Sequence, residues 1–478
     1  MTKHRLMLSA AAAALLAAVA NAHADVEITT STNTALTTAS SGNITIGTNG
    51  GVGITAATPT ITINSNNFVS NNGFIANTGT ANATGVQIDT SVNGGKLFPP
   101  ASGFSSTGTI DLAGNGTGKR GIFITGGGTY YGPITLTALT GTTTGLTTQT
   151  SSILIQGDSS VAFWLQQNAK VTSNILLGGG GVIQNASQNS QQSNSVVALL
   201  DGTVNGNFIN GGSISAAGPG MIGIQVNGGI NSCASDTGAP AGFTCPTVSG
   251  GSFINAGVIS LTGTGTPSAR GGNPESGSAV VIASSISGGF VNAGPGTGSN
   301  IPVALISSNG LVTSGVVQPT VLIDPSKSVT ALSPAPRGPA ILGPVTADID
   351  PVNPGYSFIN RGAIQAQPMD PQLSAAALII QGSSSTYFTC LSATVGTCTG
   401  TNANPQLNTG GFLSTGDISA TALTSITSRT AGTISAAAIY VGAYSTVPRL
   451  DIQQQTVGGT TLTQGTVKAL VSGIGQGT

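Results

Sequence analysis

Along most of this chain, short runs of branched apolar residues alternate with turns of Gly, Ser and Asn. Six such runs are "SSILIQGD" from Ser151, "SVVALLDG" from Ser195, "MIGIQVNGG" from Met221, "SAVVIASS" from Ser278, "AAALIIQG" from Ala375 and "AAAIYVGA" from Ala436. They are too short for helices, rich in β-branched residues and closed by Gly or Ser. That pattern predicts strands buried on both faces. All six read as one recurring element.

A second phrase follows four of these runs. It reads Phe-Ile-Asn-x-Gly-x-Ile, with close copies at Phe208–Ile214, Phe253–Ile259 and Phe358–Ile364. Degenerate copies stand at Phe104–Ile110, Phe290–Gly294 and Phe412–Ile418, and a seventh at Phe68–Gly73 carries one extra residue. From Phe208 to Phe412 the phenylalanines are spaced by 45, 37, 68 and 54 residues. Part of the excess lies in two loops at the same point of the unit, one holding Cys233 and Cys245, the other Cys390 and Cys398. Insertions confined to one point of a repeat map to one face of a stacked body.

The pattern predicts an all-β chain folded as a right-handed parallel β-helix, a β-solenoid with loop insertions. A single coil cannot bury its own inner face, so stacking supplies the core. Phe208, Phe253 and Phe358 point inward and stack. Asn210, Asn255 and Asn360 sit at corners, where an amide bonds backbone and tolerates a left-handed φ. Gly212, Gly257 and Gly362 take the positive φ, and Ile259 returns to the core. At roughly 20–25 residues per coil, some 18–22 coils form a rod about 90–100 Å long. β-Sandwich domains are the structural alternative, but a regular period near about 100 residues is missing.

Composition sharpens this. The 71 Gly disfavour helices, while mean hydropathy of +0.26 and 6% charged residues are too apolar for ordinary disorder. Lys3 and Arg5, the apolar run Leu6–Ala20 and the Ala22-His23-Ala24 site predict a secretory signal peptide over residues 1–24. Its removal takes both histidines, His4 and His23, so His-based triads, metal sites and pH switches are excluded. Without Lys3 and Arg5, 11 basic side chains face 14 acidic ones, a net of −3. Nothing resembles a phosphate-binding surface, so nucleic acid is not an expected partner.

Candidate chemistry is sparse. In an exported chain, Cys233 with Cys245 and Cys390 with Cys398 predict two local disulfides; paired zinc-ligand spacing is absent. Asp348 and Asp350 in "TADIDPVNPG" share a face if extended, but Pro351 and Pro354 place them in a loop as solvated acids. Arg361 in its Asn-x-Gly corner reads as a solvated turn residue, and Lys119-Arg120 as a turn. Trp164 in "SVAFWLQQN" either offers a sugar-stacking platform or packs against its strand neighbours, the reading favoured by Phe163 and Leu165. No catalytic residue, cofactor or metal ligand is predicted.

With these phrases, the region of about 100–445 resembles the passenger region of bacterial autotransporters. That resemblance implies a β-helix displayed at the cell surface or released from it. Such proteins end in a membrane β-barrel of many strands with aromatic girdles. Here residues 430–478 contain only Tyr440 and Tyr444 as aromatics, so the chain is expected to be either a fragment or a passenger-like protein without its own anchor. The expected layout is a signal peptide (1–24), a Thr/Asn/Gly-rich cap with the first coils (25–100), the β-helix (101–450) and a terminal coil or truncated linker (451–478). The expected function is adhesion or surface structure. Expected partners are glycans or proteins of host or neighbouring cell surfaces, with contact to the outer membrane only through a barrel outside this chain. The alternative is an extracellular polysaccharide lyase or hydrolase on a β-helix, which requires acids converging in a groove.

Overall fold

The computed structural model describes residues 24–474 apart from 80, 101, 115, 138–150, 179–181, 187–194, 219, 246–250, 263–276, 295–303, 309–310, 314–315, 329–337, 369–373, 393–409, 426–433 and 458–459. The expected signal peptide falls outside them, except Ala24. Successive coils place one strand in each of three long sheets, two of 12 strands and one of 13. The coil beginning at Phe208 shows the order. Phe208–Asn210 lies in the first sheet, Ser213–Ala217 in the second, Ile222–Val226 in the third, and Ile230–Asn231 in a narrower fourth ladder. The chain then re-enters the first sheet at Phe253–Asn255. Pairing between coils is parallel along all three sheets, apart from an antiparallel hairpin, Leu311–Thr313 with Val316–Gln318, on the third. This is a parallel β-solenoid, as the repeat predicts.

The interior is built from residues in register. In the first sheet one file runs from Val26 through Ile44, Val69, Phe104, Ile134 and Ile175 into Phe208, Phe253, Phe290, Phe358 and Phe412. The five phenylalanines are fully buried. Their ring centroids are 5.3, 4.8, 4.5 and 5.1 Å apart in order. In the second sheet the isoleucine ending each phrase joins an unbroken file from Ile75 through Ile110, Ile214, Ile259 and Ile364 to Ile418. Each such side chain contributes about 1.5–3 kcal/mol relative to exposure.

Twelve coils stack among the described residues, not 18–22, because loops lengthen many of them. The coil between Phe290 and Phe358 takes 68 residues. Eleven steps of about 4.8 Å make a rod about 53 Å long. Stacking also begins earlier than the repeat suggests, at Val26–Ile28. Two assignments shift. "SSILIQGD" belongs to the second sheet, where Ser152–Gln156 pairs with Thr109–Leu112, while the other five runs form the third. In the seventh copy Val69, not Phe68, holds the core position opposite Phe104, so no residue is extra.

The Asn and Gly of the phrase act differently from expectation. Asn255 is an extended, fully buried strand residue without positive φ. Its amide bonds chiefly to the next coil. Nδ2 of Asn210 donates to Oδ1 of Asn255 (2.7 Å), Asn255 to Asn292 (2.8 Å), Asn292 to Asn360 (2.8 Å), and Asn360 to Oγ of Ser414 (3.0 Å). The same device stands earlier in the rod, where Nδ2 of Asn71 donates to Oγ of Ser106 (3.0 Å). Gly257 also lacks a positive φ. Its role is close approach, since a Cβ there would lie 2.0 Å from the Gly212 carbonyl oxygen. That oxygen accepts the ladder bond from Val258 N at 2.8 Å.

A strapped aromatic groove as the candidate functional site

The groove forms where the chain leaves the fourth ladder. Leu97, Tyr130 and Val171 are successive rungs there, so the residues just after them line up along the rod. Those residues are Phe98-Pro99-Pro100, Tyr131-Gly132-Pro133 and Thr172-Ser173-Asn174. Proline suits this place because the strand has ended and its N–H is not needed. The wall comes from the loop after Ile230–Asn231, which doubles back down the ladder. It spans four rungs, about 19 Å.

Three contacts fasten this strap. Cys233 and Cys245 form the expected disulfide, with Cα atoms 5.7 Å apart. Oδ2 of Asp236 accepts from the Thr172 hydroxyl at 2.8 Å, and its Oδ1 from Gly238 N at 2.9 Å. The Gly238 carbonyl accepts from Nζ of Lys96 (2.7 Å) and from the Tyr131 hydroxyl (3.1 Å). Burial, reinforced by the neighbouring Asp236 carboxylate, pushes the Tyr131 hydroxyl up to about 12. Burial works against the Asp236 carboxylate, yet the Gly238 amide, the Thr172 and Tyr131 hydroxyls and the Lys170 charge hold it below its usual value.

The strap thereby brings Phe243 against Phe98 and Tyr131. Ring centroids are 6.0 Å apart for Phe98–Phe243, 5.2 Å for Tyr131–Phe243 and 6.4 Å for Phe98–Tyr131, all edge-to-face. The groove between them encloses about 710 Å³, within the range of roughly 300–1,000 Å³ usual for small-ligand sites. Its lining is aromatic, proline and neutral polar, with Asn66, Asn174, Ser173 and Thr244 among the latter. Among the described residues no charged side chain lines the groove.

The other candidates lie elsewhere. Cys390 is disulfide-bonded, while its expected partner Cys398 lies outside the described residues. Both cysteine loops leave the fourth ladder, Cys390 from the strand Thr389–Leu391. Arg361 is not a solvated turn residue. It is 7% exposed and makes a bidentate ion pair with Asp350, itself 5% exposed. Asp350 is therefore not a solvated acid either, whereas Asp348 sits on an exposed turn. The loop carrying them closes over the outer face of the first sheet, where Val345 and Tyr356 pack on Val291, Ile359 and Leu413.

Lys119 and Arg120 are not an exposed turn. Lys119 is fully buried, and its Nζ donates to the carbonyls of Leu112 (3.0 Å), Ala113 (3.1 Å) and Gly114 (2.5 Å). Burial lowers its pKa, opposed by the charge of Asp111. Arg120 opens a strand of the third sheet, its guanidinium 4.6 Å from the centre of the Phe123 ring and 5.3 Å from that of Trp164. Trp164 is 8% exposed, packs with Phe123, Val161, Val196 and Leu199, and donates from Nε1 to Asp201 at 3.1 Å. It is a packing residue of the sheet's outer face. Among the described residues no group of three or more Asp, Glu, Cys or His side chains could hold a metal.

The groove residues do not stand out in the sequence, although "LFPP" and "YYGP" carry a signal. Both pair an aromatic with proline, 33 residues apart from Phe98 to Tyr131, a coil's length. No family profile, no curated protein and no solved structure matches this chain.

Proposed function

We propose that this chain is an exported, non-enzymatic β-solenoid that works in adhesion or surface structure, in the manner of the autotransporter passengers it resembles. The observation that carries this reading is the strap. A rigid rod with few charges has one long loop that is closed on itself by a disulfide and pinned across four rungs by the Thr172–Asp236 and Lys96–Gly238 hydrogen bonds, forming a neutral groove on its flank. Stacked repeats supply stiffness, and loops at one repeat position supply the distinguishing surface. The disulfide fits an oxidising, extracytoplasmic compartment. The lyase or hydrolase alternative loses its best pair, because Asp350 is committed to Arg361.

The test is adherence. Beads coated with the oxidised protein should be retained on bacterial or host-cell surfaces more than beads coated with reduced protein carrying Cys233→Ser and Cys245→Ser. Retention no greater than that of albumin-coated beads on every surface would overturn the reading. So would finding the protein inaccessible to added protease on intact producing cells.

A further inference from the structure

We infer that the groove bounded by Phe98, Tyr131 and Phe243 is a binding site for a neutral saccharide. The inference deepens the adhesion reading and rests on it for its biological setting. Three features of the groove support it. A pyranose has apolar C–H faces and a rim of hydroxyl groups, so it needs aromatic surface next to fixed polar groups. Phe98 and Phe243 are part-exposed over a buried Tyr131, which supplies the first.

The polar groups are held in place by backbone. Oδ1 of Asn66 accepts from Phe98 N at 2.8 Å, and Oδ1 of Asn174 accepts from Asn207 N at 2.9 Å. Each bond fixes which way the amide faces and leaves its Nδ2 to donate at the groove, where hydroxyl oxygens are suitable acceptors. Finally, the described lining residues carry no charge. A phosphate, sulfate or uronate would be stripped of water with no counter-charge lining the groove to meet it. A neutral sugar needs none.

Isothermal titration calorimetry on the oxidised chain decides the matter. The probes are cellotetraose, mannotetraose and tetra-N-acetylchitotetraose, beside tetragalacturonate and a proline-rich peptide. At least one neutral tetrasaccharide should bind, and Phe243→Ala should weaken it by about tenfold. Phe98→Ala should act likewise, while Phe74→Ala, an exposed aromatic of the second sheet outside the groove lining (38% exposed), should change nothing. Phe243 lies at the end of a surface loop, so its removal leaves the melting temperature unchanged and separates binding from folding. The inference is overturned if no neutral tetrasaccharide binds at millimolar concentration, if binding survives both substitutions, or if only tetragalacturonate or the peptide binds. Beads that adhere while all sugars fail sink this inference and leave the adhesion reading. Sugars that bind while beads do not adhere have the reverse effect.

Discussion

Arg361 meets Asp350 side-on, with Nε 2.8 Å from Oδ2 and Nη2 2.8 Å from Oδ1, both side chains more than nine-tenths buried. Asp350 Oδ1 also accepts from the backbone of Val352 (3.1 Å) and Asn353 (3.0 Å). The pair therefore ties the loop to a corner of the coil. Removing one partner strands a buried charge. Arg361→Met should cost about 3–5 kcal/mol locally and strip amide protection from residues 345–362 in hydrogen exchange. The double change with Asp350→Leu should restore most of it.

Asn255→Leu should cost about 2–4 kcal/mol, because it orphans the Asn210 donor and the Asn292 acceptor. The shape itself is acceptable, since Leu177 is the rung next to Asn210. Replacing Asn210, Asn255, Asn292, Asn360 and Ser414 together by Leu should thus cost far less per site than the single change. Thermal unfolding followed by circular dichroism would compare them. A single change as mild as the set would contradict the ladder's role.

Gly257→Ala should destabilise by about 1–3 kcal/mol through overpacking against the Gly212 carbonyl. Because no positive φ is involved, Gly257→Asn should be at least as harmful. A left-handed position would instead tolerate Asn better than Ala. Comparing the melting temperatures of the two variants distinguishes these causes.

The strap should be secure only within a pH window. The Tyr131 pKa is raised in the fold, so its contribution is complete below the unfolded value of 10.0 and is lost as pH rises through about 12. The Asp236 pKa is lowered, so its contribution is present above 3.8 and is lost as pH falls through the folded value. Proteolysis at residues 234–244 should accordingly be slow between those limits and faster outside them. Reduction of Cys233–Cys245 should raise it throughout, removing about 2–3 kcal/mol of loop restraint. The rod's melting should barely move, since the loop opens locally.

How much of the fold and groove is legible in the sequence depends on range. Phe208, Phe253 and Phe358 announce an inward file because a stacked core repeats its side chains. The Asn-x-Gly corner is visible as a motif, but its local meaning misleads. Asn and Gly have strong uses in turns, and only the neighbouring coil shows that in this rod they serve contacts along the axis. The coil count comes out too high because loops such as the one between Phe290 and Phe358 carry no period. Arg361 and Lys119 look like solvated charges, since their partners, a carboxylate in a loop and three carbonyls, leave no periodic trace. The groove unites Phe98 with Phe243, 145 residues apart, through a loop that runs backward along the rod. Nothing local in either segment points to the other.

The amide file from Asn210 to Asn360 has a consequence of its own, which is polarity. Ser414 gives its proton to the Gly416 carbonyl at 3.0 Å, so its lone pairs face Asn360, and every amide upstream must donate in the same sense. At the opposite end Oδ1 of Asn210 faces the Gly212 N–H at 3.4 Å. The side chains thus form a head-to-tail dipole chain running toward the last coils, inside a rod whose parallel strands cross that direction. Each link polarises the next, so a central link is held from both sides and a terminal one from a single side. The rod has an electrical sense along its length that its nearly neutral surface does not show.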